Sequence, residues 1–204
     1  MSNEKCRGIL IAFEGCDGVG KTTHTELLKE KIKTSTLISF PDRKTCIGKI
    51  IDSYLSQNKK LNDNVIHLLF SANRWEQKDV IKGLLDSGVD VILDRYVYSR
   101  RAYAKALGLD KEWCESSDRG LPKPDIVFYL KRPLQELLER ESFGNEKYEN
   151  LSFQSKVKEN YERIIEECWV SINTRQDKRK AFEEICVTIE EVRKKKKGSE
   201  ISIL

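Results

Sequence analysis

The chain has little that would suit a membrane or an extracellular setting. Its 204 residues include no apolar stretch long enough to cross a bilayer and no hydrophobic segment typical of a secretory signal. The six cysteines are far apart and form no C-x-x-C pair, and only two histidines are present. This scarcity argues against a structural zinc site and against a disulfide framework. We therefore expect a reduced, cytoplasmic protein with no membrane partner.

The chain also lacks a strong excess of either charge outside one short segment. Its net charge is +4, and the basic run at residues 193–197 carries five positive charges by itself. The remainder is close to neutral, which argues against a nucleic-acid partner. The basic run itself is either a nuclear-import or anionic-surface patch or the solvated end of a helix.

Neither an internal repeat nor a low-complexity linker interrupts the chain. Apolar, strand-like runs at 9–13, 36–40, 89–93, 126–130 and 168–172 alternate with segments of helical periodicity. Such alternation is typical of a parallel sheet covered by helices on both faces. We expect an α/β fold: one three-layer, doubly wound domain over residues 1–204, with five parallel strands.

Two of the helical segments concern the site directly. A helix is expected from about Asn64 to Leu85, and a second over 96–107. The core face of the first helix is predicted to run through Val65, Leu68, Leu69 and Ala72.

The first apolar run leads directly into a phosphate-binding pattern. Residues 15–22 match G-x-x-x-x-G-K-[ST], the P-loop, which predicts a fold of the P-loop NTP hydrolase type. The loop amides and the positive end of the following helix suit phosphate oxygens. Lys21 suits the β- and γ-phosphates, and the Thr22 hydroxyl suits Mg²⁺. A glycine-rich surface turn is the alternative, which the flanking strand and helix disfavour. The candidate residues for binding a nucleoside triphosphate, which the resemblance below identifies as ATP, are Gly15, Cys16, Asp17, Gly18, Val19, Gly20, Lys21 and Thr22.

Charged residues follow two other predicted strands, where ligands gather in such sheets. Pro41-Asp42-Arg43 follows the second strand and Asp94-Arg95-Tyr96 the third. Arg95 is placed to bind an anion. Asp94 suits Mg²⁺ coordination through water, or orientation of an attacking phosphate, and its alternative role is a helix N-cap.

A flat-base site is suggested by Phe70 and Arg74, which lie four residues apart on one helical face. The ring can stack on a base while the guanidinium donates to an exocyclic carbonyl. A surface cation–π pair, or a half-buried Phe70, is the alternative. Residues 140–149 are either a lid that excludes water from the phosphates or a solvated loop.

These motifs together resemble the thymidylate kinases of eukaryotes and large DNA viruses, from about Gly8 to Val192. The resemblance rests on six blocks: Phe13 to Asp17, Phe40-Pro41-x-Arg43, His67 to Gln77, Asp94-Arg95-Tyr96 with Ser99, Gly120 to Asp125, and Phe143-Gly144-x-Glu146-Lys147-Tyr148-Glu149. The P-loop alone is shared by many kinases, whereas the His67-to-Gln77 block with Asp94-Arg95-Tyr96 is more specific.

The resemblance implies transfer of the γ-phosphoryl group of MgATP to dTMP, giving dTDP and ADP in dTTP biosynthesis, by a homodimer. Phe70 would stack on thymine, Arg74 would bind its O4, and Arg43 with Arg95 would hold the acceptor phosphate. Asp17 would contact the 3′-hydroxyl and hold a phosphate-binding arginine. The remaining implied dTMP contacts are Phe40 (in a cis peptide with Pro41), Ser99, Tyr103 and Tyr148, and Arg140 would lie over the adenine. The implied catalytic set is Lys21, Arg95, Asp17 and Asp94, with Thr22 and Asp94 at the metal.

The chain departs from this family at the P-loop. Relatives usually carry a basic residue where Gly18 stands, and we expect Lys147 of the lid, or else Arg100, to supply that charge. Arg100 and Arg101 stand where relatives have small residues, and they either alter acceptor selectivity or are solvated.

Four alternatives remain. One is another, or a broader, nucleoside monophosphate kinase, and the second is a non-catalytic nucleotide-binding module. Nucleoside kinases, the third, fit less well because Arg43 beside Asp42 suits an anionic acceptor. The fourth is a nucleotide-dependent switch; one that binds guanine would carry an N-K-x-D motif, and none is present.

Overall fold

The structure, a computed structural model, describes residues 6–137, 146–196 and 198–204. Five parallel strands form one sheet in the order β2-β3-β1-β4-β5. The strands are β1 (Leu10–Glu14), β2 (Ser35–Ser39), β3 (Asp90–Asp94), β4 (Ile126–Lys131) and β5 (Trp169–Asn173). Each strand begins and ends within one residue of its predicted position, and the predicted α/β class is confirmed.

Helices connect the strands and flank the sheet. They are α1 (Lys21–Lys31), α2 (Cys46–Leu55), α3 (Asp63–Trp75), α4 (Lys78–Asp86), α5 (Val97–Ala106), α6 (Lys111–Ser116), α7 (Leu151–Arg163) and α8 (Lys178–Lys196), with a 3₁₀ turn at Leu134–Leu137. The central strand β1 is buried along its whole length, because β3 and β4 pair with it on either side. None of the described helices is long and apolar enough to span a membrane.

The helix predicted from about Asn64 to Leu85 is in fact two helices. The backbone N–H of Gln77 donates to the carbonyl oxygen of Arg74, three residues back, at 3.1 Å. This tighter bond ends α3, and α4 begins at the next residue. The prediction of one continuous helix was therefore wrong.

The predicted core face of α3 was wrong for Val65 and Leu68, whereas Leu69 packs against the core as predicted. Val65 and Leu68 are 45% and 49% exposed, whereas His67 and Ser71 are buried. The buried polar groups are satisfied, because the Ser71 hydroxyl donates to the Ser117 carbonyl oxygen at 2.8 Å. His67 lies 3.1 Å from another carbonyl oxygen in the same stretch of chain, that of Cys114. Hydrophobicity did not predict the burial of His67 and Ser71, because their polar partners lie in a distant segment of the chain.

The basic run at the end of α8 is partly used inside the fold. Arg193 Nη2 lies 2.6 Å from the buried carboxylate of Asp90, and Lys196 Nζ lies 3.7 Å from Asp125. These two side chains remain 42% and 36% exposed, so the helix end is partly solvated and also ion-paired to the fold.

Candidate active site

The P-loop connects β1 to α1 at the carboxyl end of the sheet. Gly15 has φ of 139°, and a Cβ atom there would lie 2.6 Å from the carbonyl oxygen of Leu130, so only glycine fits. Lys21 is buried and donates from Nζ to the carbonyl oxygens of Cys16 and Gly15, at 2.6 and 3.1 Å. Burial lowers the pKa of Lys21 to about 8, and the charge of Arg95 acts in the same direction.

Thr22 and Asp94 meet beside this loop. The Thr22 hydroxyl donates to Asp94 Oδ2 at 2.7 Å, which brings the first turn of α1 to the end of β3. These oxygen atoms are ligands of the type that Mg²⁺ prefers, and that ion usually keeps several waters and substrate phosphates as its other ligands. The pair of Thr22 and Asp94 therefore suits the ion. The described residues contain no group of three or more His, Cys, Asp or Glu that could hold a metal without such additional ligands.

The alternative role predicted for Asp94, capping the start of α5, is performed by Glu14. Glu14, buried at the end of β1, accepts hydrogen bonds from the backbone N–H groups of Tyr96 and Ser99, at 2.9 and 3.1 Å. Its carboxylate also accepts from the hydroxyls of Ser99 and Tyr161. Glu14 thus satisfies the start of α5 and leaves Asp94 free to face Thr22.

Beside the P-loop lies a cavity that opens to solvent. All nine residues predicted to contact dTMP line it: Asp17, Phe40, Arg43, Phe70, Arg74, Arg95, Ser99, Tyr103 and Tyr148. Pro41, Leu55, Tyr96, Arg100 and Glu146 complete the described lining. The Phe40–Pro41 bond is cis, as the resemblance implies.

The two residues of the predicted base slot differ in their partners. Arg74 is buried and binds Asp118 through Nη2, which lies 2.8 Å from each carboxylate oxygen. Phe70 is half-buried, and the guanidinium over its ring is that of Arg100, 5.0 Å from the ring centroid. The alternative of a surface pair between Phe70 and Arg74 is therefore wrong.

Asp17 is the centre of a polar network in the cavity. Its carboxylate pairs with Arg95 and accepts from the Tyr103 hydroxyl at 2.6 Å and from Gln154 Nε2 at 2.7 Å. Burial alone would raise the pKa of Asp17, but the charges of Arg95 and Lys21 and these hydrogen bonds hold it below its usual value. Arg95 has φ of 67°, an uncommon backbone conformation of the kind that is concentrated at functional sites.

The comparisons with known proteins agree with this geometry. The model of the family described as thymidylate kinase matches residues 13–185. This chain belongs to the thymidylate kinase family. It is 44% identical over 174 residues to the Dictyostelium discoideum thymidylate kinase, an alignment covering 82% of this chain and 78% of that protein. It is 47% identical over 176 residues to a putative thymidylate kinase of Invertebrate iridescent virus 6, covering 84% and 83%.

The three-dimensional structure is also similar to that of a known thymidylate kinase. The structure of Candida albicans thymidylate kinase, which reveals the origin of broad substrate specificity in that enzyme, is 36% identical to this chain. The two structures superpose with a TM-score of 0.84, over 98% of this chain and 99% of the other. The five-stranded parallel sheet flanked by helices is thus that of a P-loop kinase of this family.

Arg100 and Arg101 were expected either to alter acceptor selectivity or to be solvated. The structure shows that both side chains are mostly buried. Arg100 is 3% exposed and lines the cavity. The Arg101 guanidinium lies over the Tyr98 ring, 5.2 Å from its centroid, with its side chain 15% exposed. Arg100 is held beside Phe70 in this structure, and its predicted role as a substitute for the charge missing at Gly18 stays a prediction.

The candidate lid is described only from residue 146, so the predicted adenine contact of Arg140 lies outside the described residues. Lys147 places its ammonium over the Tyr54 ring, 3.8 Å from the centroid. Arg43 lines the cavity, yet its guanidinium pairs with Asp52 and Glu146, at 2.5 and 2.6 Å. Arg43 thus contacts the lid segment, and its predicted phosphate contact stays a prediction.

Sequence reasoning missed three residues that orient the site, namely Glu14, Asp118 and Gln154. Gln154 donates to Asp17 and accepts from the backbone N–H of Asp17 at 3.1 Å. Its signal in the sequence was its spacing of three and seven residues from Val157 and Tyr161, which are both buried. A glutamine on the core face of a helix needs polar partners.

Proposed function

We propose that this protein is a thymidylate kinase, which transfers the γ-phosphoryl group of ATP to the phosphate of dTMP and releases dTDP and ADP. One observation carries the proposal: a single cavity is lined by Phe70 and Arg74, which form the predicted base slot, and by Arg95. Asp17 of the P-loop lines the same cavity. A nucleoside monophosphate in that cavity would place its base in the slot and its phosphate beside the donor site. Family membership supports the choice of thymine.

In this proposal the acceptor contacts follow the cavity. Phe70 stacks on the thymine ring, and Arg74, held by Asp118, donates to O4. Tyr103 and Tyr148 enclose the sugar, since their rings lie 5.6 Å apart at one side of the cavity. Phe40 and Ser99 contribute further lining. Arg95 binds the acceptor phosphate with help from Arg43, and Asp17 orients Arg95 and meets the 3′-hydroxyl.

The donor side consists of the loop at residues 15–22 and, by resemblance, Arg140 over the adenine. We propose that Lys21 turns from its loop carbonyls to the β- and γ-phosphates. Thr22 and Asp94 would hold Mg²⁺, which when bound neutralises phosphate charge. The acceptor phosphate is already ionised, so no general base is needed. The residues present supply charge and in-line positioning instead.

The deciding experiment is a coupled assay of ADP release with and without dTMP. Release that depends strictly on dTMP supports the proposal, whereas acceptor-independent release would indicate a nucleotide switch. No release with any acceptor would indicate a non-catalytic binding module. Parallel assays with dUMP, dGMP and UMP test the second candidate, a kinase of broader specificity, which the Candida albicans relative favours.

We also propose that the protein is a cytoplasmic homodimer, with nuclear entry possible through the basic run at 193–197. The resemblance supports the dimer, and so do the exposed apolar side chains of Val65 and Leu68 on α3. Trp113, exposed on the neighbouring α6, packs its ring against His67, 5.1 Å between centroids. A second copy of the chain covering this face would remove these side chains from water.

A further inference from the structure

Four arginines line the acceptor cavity, and only three of them are paired with a described carboxylate. Arg43 pairs with Asp52 and Glu146, Arg74 with Asp118, and Arg95 with Asp17. Arg100 has no ion pair with any acidic residue that the structure describes. It is nonetheless as deeply buried as Arg74, at 3% exposed against 2%.

Arg100 is held by a neutral histidine. Its Nε donates to His67 Nδ1 at 3.1 Å. The other ring nitrogen, Nε2, lies 3.1 Å from the Cys114 carbonyl oxygen, so the proton is assigned to Nε2 and Nδ1 accepts. Burial, together with the charge of Arg100, lowers the pKa of His67 to about 4, so the ring stays neutral at physiological pH. The guanidinium is therefore fixed beside the Phe70 ring.

One donor of this guanidinium is left without a partner. Nη2 of Arg100 is buried and makes no hydrogen bond. A buried N–H group loses its bonds to water on folding and regains nothing until an acceptor arrives. Arginine has no acceptor atom, so its missing partner must be an oxygen or a nitrogen lone pair.

Arg74 has a matching open position. Its Nε and Nη2 are used by Asp118, and Nη1 makes no hydrogen bond to the described residues. Both arginines line the same cavity as Phe70, and the Phe70 ring lies against the Arg100 guanidinium. Two guanidinium groups that each keep at least one nitrogen without a hydrogen bond to the described residues are complementary to a ring that carries two carbonyl oxygens.

We propose that the Arg100 guanidinium donates to a carbonyl oxygen of the acceptor's base, and thereby selects bases that present carbonyl oxygens to Arg74 and Arg100. The inference rests on the proposed function, because it takes the base to stack on Phe70. Thymine and uracil fit both donors, and guanine fits through O6. Cytosine places an amino group where one guanidinium needs an acceptor, and two donors then face each other.

The test replaces one carbonyl oxygen of dTMP at a time with sulfur, a weaker acceptor. Dissociation constants of dTMP, 2-thio-dTMP and 4-thio-dTMP are measured by calorimetry for the wild type, Arg100→Ala and Arg100→Gln. In the wild type, the sulfur at the carbonyl that Arg100 reads should weaken binding roughly tenfold or more. In Arg100→Ala the same replacement should change binding less than about threefold. Arg100→Gln, which keeps a planar amide donor, should restore part of the difference and serves if the alanine variant fails to fold.

Arg101→Ala is the matched control, because Arg101 is the neighbouring arginine and does not line the cavity. It should show the wild-type response to both sulfur substitutions. If every variant responds to both analogues as the wild type does, Arg100 only supports Phe70 and the inference is wrong. Wild-type protein that binds dTMP but does not phosphorylate it contradicts the proposed function alone, whereas failure to bind dTMP overturns both.

Discussion

Arg74 and Asp118 form a buried ion pair in which Nη2 of the arginine donates to both carboxylate oxygens at 2.8 Å. The two side chains are 2% and 1% exposed. Because neither charge reaches water, each depends on the other for compensation. The pair also fixes the Arg74 guanidinium at the base slot, so it links folding to acceptor recognition.

Asp118→Ala should therefore destabilise the protein and weaken acceptor binding together. We expect the free energy of unfolding, from urea titration, to fall by about 3–5 kcal/mol, because Arg74 is left buried without its counter-charge. The KM for dTMP should rise in parallel. Asp86→Ala, which breaks the exposed pair with Lys82, is the control and should cost less than about 0.5 kcal/mol. A loss below about 1 kcal/mol for Asp118→Ala would contradict the prediction.

The low pKa of Lys21, about 8, predicts an alkaline limb in the pH profile. The ammonium form is the one that binds phosphate, so kcat/KM for ATP should fall as the pH rises above about 8, by about one log unit per pH unit. This parameter reports the free enzyme, in which burial disfavours the charged lysine. Lys21→Arg keeps its charge and should have no such limb. A wild-type profile that stays flat to about pH 10 would show that the lysine is not the titrating group.

The strands were predictable because each has a simple physical signature. Strands of this sheet, such as Leu10–Glu14 and Asp90–Asp94, are buried on both faces and read as continuous apolar runs. The face of α3 was not predictable in the same way. Val65 and Leu68 are apolar but exposed, and the buried His67 is paired with a distant segment that periodicity does not show.

The same division holds within the site. Residues that immediately follow a strand or occupy the P-loop, such as Asp17 and Arg95, were identified because parallel strands end at one edge of a sheet. The residues that orient them were not. Gln154 reaches Asp17 across 137 positions of sequence, and Asp118 reaches Arg74 across 44. Such pairs are set by the fold rather than by local pattern.

Gln154 should act as a positioning residue for Asp17. Removing its side chain in Gln154→Ala deletes the two hydrogen bonds that hold the aspartate carboxylate and backbone against α7. We expect kcat/KM for dTMP to fall roughly ten- to a hundredfold, because Arg95 is then less well oriented. Gln154→Glu brings a second carboxylate to Asp17, so its kcat/KM for dTMP should be no higher than that of Gln154→Ala. The control is Gln176→Ala, at a glutamine whose side chain donates to exposed Glu184. An unchanged kcat/KM in Gln154→Ala would contradict the role.

Lys147 remains our candidate for the charge that Gly18 does not supply. In this structure its ammonium rests on the Tyr54 ring, so it would have to leave that ring to reach the phosphates. Lys147→Ala should lower kcat by more than tenfold, about 1.4 kcal/mol of transition-state stabilisation, while Lys147→Arg should retain most of the activity. Lys105→Ala, at an exposed lysine, is the control. A smaller loss in Lys147→Ala would remove Lys147 as the compensating group.

The exposed apolar face of α3 predicts how the oligomer can be broken. Leu68→Asp places a charge at the centre of the proposed interface, where a second copy would bury it without a partner. We expect sedimentation equilibrium to show dimers for the wild type and monomers for the variant. At protein concentrations low enough for the wild type to be monomeric, both proteins should melt at the same temperature. Val187→Asp, at a valine of α8 that is 61% exposed, is the matched control and should stay dimeric. If Leu68→Asp also sediments as a dimer, the two copies meet through another surface, because a carboxylate is tolerated only where water still reaches it.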